Sequence, residues 1–153
     1  MKFGRQMSET IKHTRSCGTC KRCCEGWLTG EVYGHKFKPG TPCHFLSTEI
    51  ACTIYESRPK MCSEFNCEWV LRDFFPEWMK PNQSNVIITL QKSQGFKYYY
   101  VRETGQPMDS RVLSWLVTFC LTNGRNMCYV LDNSLNFVGS PEFMEVTKNA
   151  IAV

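Results

Sequence analysis

Cys17-Gly-Thr-Cys20-Lys-Arg-Cys23-Cys24 places four thiols in eight residues. Cys43, Cys52, Cys62 and Cys67 follow, so eight cysteines fall within about a third of the chain. A Cys-x-x-Cys step curls the backbone so that both sulfurs point into one small volume, as a tetrahedral zinc ion or an iron–sulfur cluster requires. A metal there stabilises the thiolates, and its binding helps to fold the chain around it. A disulfide framework fits poorly. Adjacent Cys23 and Cys24 cannot readily pair with each other, and four distant partners would have to converge on one turn. The start of the chain, Met1-Lys-Phe-Gly-Arg-Gln-Met, lacks the apolar run of a signal peptide, and no stretch of 18 apolar residues occurs. The reading is therefore a cytoplasmic protein in a reducing compartment, with no membrane, where clustered cysteines bind metal.

At 153 residues and 42% hydrophobic content the chain can bury a modest core, rich in aromatics because it carries 4 Trp, 6 Tyr and 10 Phe. The formal charge of +4 counts thiols as neutral. Eight thiolates around two divalent ions would bring it near zero, so the basic balance gives little reason to expect a nucleic-acid partner. The fold class expected is α+β. Residues 1–80 form a small cysteine-rich, metal-centred module with short helices. Residues 81–153 form a β-hairpin/helix/β-hairpin lobe packed on it.

Residues 1–16 are polar and read as a short helix or an arm. Lys12, Arg15, Lys21 and Arg22 surround the cysteine run, where a positive field would lower thiol pKa values. Residues 25–42 are Gly- and Pro-rich and read as loop or short strand. His13 and His44 are weighed as ligands, but a solvated side chain is the better reading for each, and His35 reads as exposed. Ser57 can cap a helix with Pro59 in its first turn, placing Cys62, Phe65 and Trp69 on one face. Cys67 then lies about 140° around from Cys62. Either the helix ends near Asn66, or these two thiols serve different sites.

Past Pro76 and Pro81 the pattern changes. Residues 85–91 and 96–102 read as a hairpin, and residues 126–131 and 135–138 as a second one. Between them Asp109 or Ser110 caps a helix with an apolar stripe of Val112, Leu113, Leu116, Val117 and Cys120, stopped by Asn123-Gly124. A short helix follows Pro141. Cys120 and Cys128 sit on apolar faces and read as core thiols, outside the metal set.

The cysteine segment resembles the CxxCxxCC family of zinc- or iron-chelating domains, typified by YkgJ-like proteins. Cys17-x-x-Cys20-x-x-Cys23-Cys24, Cys43-His-Phe-Leu, Cys52-Thr-Ile-Tyr55, Arg58-Pro59-x-x-Cys62-x-x-Phe65, and Cys67 with Trp69 carry the likeness, over residues 17–72. Ser63 departs from it, since many members have Arg there. The resemblance implies metal chelation and names no reaction.

The metal ligands expected are Cys17, Cys20, Cys23, Cys24, Cys43, Cys52, Cys62 and Cys67. The Cys-x-x-Cys-x-x-Cys run favours a [4Fe–4S] cluster, towards which the balance leans, whereas a total of eight favours two closed four-cysteine zinc sites. The role is structural, or redox and iron handling. The alternatives are a non-catalytic interaction or assembly module built on two structural zinc sites and, further off, an accessory of a modifying enzyme. No phosphate loop, His-Glu-x-x-His or Ser/His/Asp order points to catalysis. Tyr98-Tyr99-Tyr100 puts aromatics on both faces of a strand, and the surplus suggests a protein partner on the C-terminal lobe.

Overall fold

The computed structural model describes residues 15–17, 20–25 and 27–150. In the cysteine-rich part, Arg22–Cys24 is a 3-10 turn, β1 (Gly30–Val32) pairs antiparallel with β2 (His35–Phe37), and β3 (Leu46–Ser47) with β4 (Ala51–Cys52). The Gly- and Pro-rich stretch thus holds one three-residue hairpin. Two short helices follow, α1 (Lys60–Glu64) and α2 (Glu68–Leu71). The cap expected from the sequence differs from the one that forms. Ser57 closes a 3-10 turn at Tyr55–Ser57, and Pro59 occupies the N-cap position of α1. The helix does not run on to Trp69. Phe65 and Cys67 are extended (ψ 124° and 159°), and Cys67 restarts the chain as the N-cap of α2.

The rest of the chain is helix α3 (Pro81–Ser84), β5 (Val86–Ser93), β6 (Phe96–Glu103), α4 (Arg111–Asn123), β7 (Met127–Leu131), β8 (Ser134–Val138) and α5 (Pro141–Ala150). The β5–β6 hairpin turns on Gln94 and Gly95, both at positive φ, and β7–β8 turns on Asp132 and Asn133, likewise. Two-residue turns of this hand match the twist of the flanking strands. Helix α4 ends where Gly124 takes the left-handed conformation, as the Asn123-Gly124 signal predicts. The strands form a sheet ordered β5-β6-β7-β8, with β6 and β7 parallel through Tyr99↔Met127 and Tyr100↔Cys128. A parallel pair needs a crossover, and α4 supplies it.

Alternation along β6 divides the packing. Tyr99 and Val101 enter a core with Val112, Leu116 and Cys120 of α4 and with Phe75, Met79, Ile88 and Met127. Tyr98 and Tyr100 face the opposite way, towards Cys128, Phe137 and Phe143 of α5. Cys120 and Cys128 are fully buried, as apolar thiols should be. The aromatic surplus is therefore largely covered within the chain. Tyr98 and Tyr99 are 6% and 5% exposed, and Tyr100 and Phe137 are half-buried. The larger core also takes in Cys67, Trp69 and Val70, so the boundary near residue 80 separates composition but not packing. No helix among the described residues is long and apolar enough to cross a membrane.

Two fasteners hold the cysteine segment, one within the module and one to the lobe. Arg15 Nη1 donates to the carbonyls of Trp69 (3.0 Å) and Arg72 (3.1 Å), and Nη2 to Phe75 O (2.5 Å) and Glu77 Oε1 (2.9 Å). Its guanidinium also lies 4.5 Å from the Trp69 ring centroid. One planar fork thus satisfies carbonyls that α2 leaves without partners at its end. The second fastener is Trp27, whose ring lies against Gly105. A Cβ on Gly105 would come within 2.4 Å of the indole.

Candidate metal centre

The eight sequence-predicted thiols fall into two neighbourhoods by the charges that act on them and by the backbone bonds between their segments. Cys20 N donates to Cys17 O at 2.9 Å, which holds these two cysteines together. Cys23 packs against the core that holds buried Cys67. Electrostatics gives the same grouping. The Cys23 thiol is pushed far above its ordinary range, first by burial and then by the charges of Cys67, Cys20, Cys17 and Cys24, in that order. Cys67 is raised to about 11 by burial, opposed by the Val70 amide, with Cys17 and Cys20 among the groups that raise it. Cys17, Cys20 and Cys67 therefore lie within electrostatic reach of Cys23, with Cys24 the smallest of the charges on it.

The second group is built on the backbone of two hairpins. Cys43 N donates to Cys24 O at 2.9 Å, Leu46 N donates to Cys43 O at 3.0 Å, and Leu46 is the register partner of Cys52. These links stitch Cys24, Cys43 and Cys52 together. Cys62, in α1, joins them. Its thiol is raised by burial and then by Cys43 and Cys52, and Cys24 is raised to about 11 by burial and then by Cys43, Cys52 and Cys62. Cys24, Cys43, Cys52 and Cys62 are the second quartet. Cys23 and Cys24 are consecutive in the 3-10 turn at Arg22–Cys24, and the largest charges on each come from different thiols, Cys67 on Cys23 and Cys43 on Cys24. The break between α1 and α2 falls between Cys62 and Cys67.

Both quartets are neighbourhoods, wider than a coordination shell. Among the described residues no three His, Cys, Asp or Glu side chains form a ready metal-binding group. None of the ten cysteines is in a disulfide. The donor chemistry, four soft thiols per group and no carboxylate among the named neighbours, fits a thiophilic ion or cluster.

Of the basic residues expected to depress the thiols, Arg15, Lys21 and Arg22 are not among the cations that lower them. Desolvation outweighs every cation, and all five thiols with a resolved shift among these eight are raised. Arg15 is committed to the carbonyls around α2, and Arg22 pairs with Glu25 at 2.8 Å. Lys12 lies outside the described residues, as does His13. The cation that reaches both quartets is Arg58, which pulls down Cys17 in one and Cys24 and Cys62 in the other. Its Nε donates to Tyr55 O at 2.8 Å, and its guanidinium lies 3.7 Å from the Tyr55 ring centroid, so its position is held. In the sequence Arg58 stands only as part of a motif, with nothing to mark this role. Ser63, which departs from the family pattern, donates to Lys60 O. His44 is exposed and stacks on exposed His35 at 3.7 Å between ring centroids.

No protein-family model, curated protein or solved structure matches this chain. The likeness to the CxxCxxCC family rests on the motif residues themselves.

Proposed function

We propose that the chain is a metal-binding protein with two four-thiolate centres. One is held by Cys17, Cys20, Cys23 and Cys67, the other by Cys24, Cys43, Cys52 and Cys62. The observation that carries this reading is the division of eight thiols into two quartets with none left over. Two closed four-cysteine sets are what structural zinc uses, and such sites supply folding free energy directly. The segment bearing them has little else to hold it. Its strands are two or three residues long, and among its described residues Val32 is the one buried apolar side chain before Cys67. The role is structural. The ions fix the module and, through Cys67, tie it to the core of the lobe.

A second reading has a specific support. Cys17, Cys20 and Cys23, joined by remote Cys67, form the spacing that wraps a [4Fe–4S] cubane, so the first quartet suits a cluster while the second suits zinc. Metal content and absorbance of anaerobically purified protein separate the two. A colourless protein with about two zinc ions per chain supports the first. A brown protein absorbing near 400 nm, with iron and sulfide, supports the second. Protein that stays folded with neither metal bound, its half-buried cysteines reacting freely with a thiol reagent, overturns both.

A further inference from the structure

We propose that the cleft between the 72–75 loop and one end of the sheet binds the dianionic head of an aryl phosphate monoester. This site shares no lining residue with the two quartets and does not depend on them. It is a cavity of about 200 Å³ lined by Arg72, Phe74, Leu90, Lys97, Tyr99 and Arg125, among others.

The charges in and around the cleft set the ligand class. Arg72 pairs with buried Glu68 at 3.4 Å, which leaves that pair close to neutral. Lys97 and Arg125 are exposed, and among the described residues neither side chain forms an ion pair. Among the lining residues the charge not balanced by Glu68 is therefore close to two, which matches a phosphate monoester dianion better than a carboxylate. Guanidinium is suited to phosphate because its fork meets two oxygens at once. Tyr99 is 5% exposed, and among the described residues its hydroxyl has no hydrogen-bond partner. Burial and then Glu68 raise the Tyr99 hydroxyl, and Arg125 and Arg72 oppose them, so both cations of the lining lie within electrostatic reach of it.

The walls set the ligand's body. Phe74 is 48% and Leu90 41% exposed, and Phe74 is held by stacking on Phe119 at 5.0 Å between centroids. A fixed, half-open aromatic ring beside an oxyanion site suits an aryl group. The volume lies below the usual range for drug-sized ligands, so the occupant is fragment-sized. It is either a free aryl phosphate or the phosphorylated tyrosine side chain of a peptide.

The test is an NMR titration of the full chain with phenyl phosphate, inorganic phosphate, benzoate and a short phosphotyrosine peptide. Phenyl phosphate should saturate with Kd on the order of 1 mM or tighter, moving the Tyr99 and Asn126 amides. Inorganic phosphate and benzoate should bind more weakly. Lys97→Gln with Arg125→Gln should weaken binding by about tenfold or more, and both residues are exposed, so the fold should survive. Glu68→Gln should tighten binding by freeing Arg72, an effect that a merely structural role for these residues would not produce. A peptide that binds tighter than phenyl phosphate assigns the ligand to a protein, and equal binding assigns it to a free small molecule. No saturable shift at these amides, benzoate binding as tightly as phenyl phosphate, or an affinity unchanged in the double variant overturns the proposal.

Discussion

The amide of Cys43 donates to the carbonyl of Cys24 at 2.9 Å, so the last thiol of the N-terminal run is tied to the next cysteine segment by the main chain itself. That bond holds two members of the proposed second quartet together. Cys23, the sequence neighbour of Cys24, packs towards the core that contains Cys67, and Cys24 is the last of the charges that raise it.

A lost ligand should cost far more than a lost core thiol. Cys20→Ser removes a member of the first quartet, and metal binding in small zinc modules contributes on the order of 10 kcal/mol to folding. Cys120→Ser puts a hydroxyl into a fully buried position on α4 and should cost about 1–3 kcal/mol. Thermal melts of the two variants with and without a strong chelator decide this. Chelation should collapse the wild type and Cys120→Ser alike, whereas Cys20→Ser should already be compromised. Equal melting shifts would count against the first quartet as a metal site.

The contact between Trp27 and Gly105 can be weighed against a control glycine. Gly105 has φ +83° with the indole against it, and Gly95 has φ +81° with nothing within 4 Å. Both Gly→Ala changes place a Cβ in the left-handed region, at roughly 1–2 kcal/mol. Only Gly105→Ala also drives a methyl into a packed ring, which adds about 1–3 kcal/mol. Denaturant midpoints should therefore fall further for Gly105→Ala. Identical losses would mean that Trp27 does not bind the module to the lobe.

Glu68 gives a pH signature. Its carboxyl is raised from the ordinary range, chiefly by burial, with the charge and hydrogen bond of Arg72 opposing that. An acid raised on folding favours the native state while protonated, and that advantage is lost as pH rises from the unfolded pKa through the folded one. Glu68→Gln should therefore match or exceed the wild type in stability near pH 7, the gap closing as pH falls below the unfolded value. Urea unfolding at several pH values reads this directly. A variant less stable than wild type at neutral pH would show that the Arg72 pair outweighs the burial.

Much of the lobe is legible in the sequence because its signals are local. The β5 and β6 runs, the α4 stripe and the Gly124 stop each follow from a period of two or 3.6 and from turn chemistry. The parallel β6–β7 pairing does not, because no local signal separates two adjacent hairpins from one sheet with a crossover through α4. The role of α5 is similarly hidden. Phe143 and Thr147 are fully buried, and Phe143 covers the tyrosine face that the strand pattern alone leaves open. At the metal centre the ligand types are readable, and the 140° offset of Cys67 from Cys62 poses the choice between a helix break and separate sites. The helix does break, because α1 ends at Glu64, and the proposed separation of the two thiols is supported by the charges of Cys43 and Cys52 on Cys62. Which thiols share a site depends on the long-range Cys24–Cys43 bond and on the core contact of Cys67, which spacing does not encode.

Arg58 should matter for metal retention where Arg22 does not. Arg58 acts on thiols of both quartets, whereas Arg22 is paired with Glu25 at 2.8 Å. Groups that support metal ligands from outside typically change affinity by about 10–100-fold when removed. Arg58→Gln should lower metal affinity in chelator competition towards that range, and Arg22→Gln should leave it within about twofold of wild type. Equal affinities for the two variants would remove Arg58 from the account.

The division into quartets makes a prediction that a single eight-thiol pool does not. Cys20→Ser with Cys67→Ser takes two thiols from one quartet and leaves Cys24, Cys43, Cys52 and Cys62 whole. Cys20→Ser with Cys62→Ser removes the same number but breaks both. Thiol count and side-chain chemistry are matched between the two double variants, and Cys67→Ser carries the extra loss of a buried core contact, which works against the expected outcome. Four-thiolate sites are closed sets, and a three-thiolate remnant binds far more weakly. The first variant should therefore keep about half the metal of the wild type after dialysis against a moderate chelator, and the second almost none. Elemental analysis of the two proteins, purified side by side, decides the question. If both retain the same fraction, the eight cysteines act as one pool and the partition into quartets is wrong.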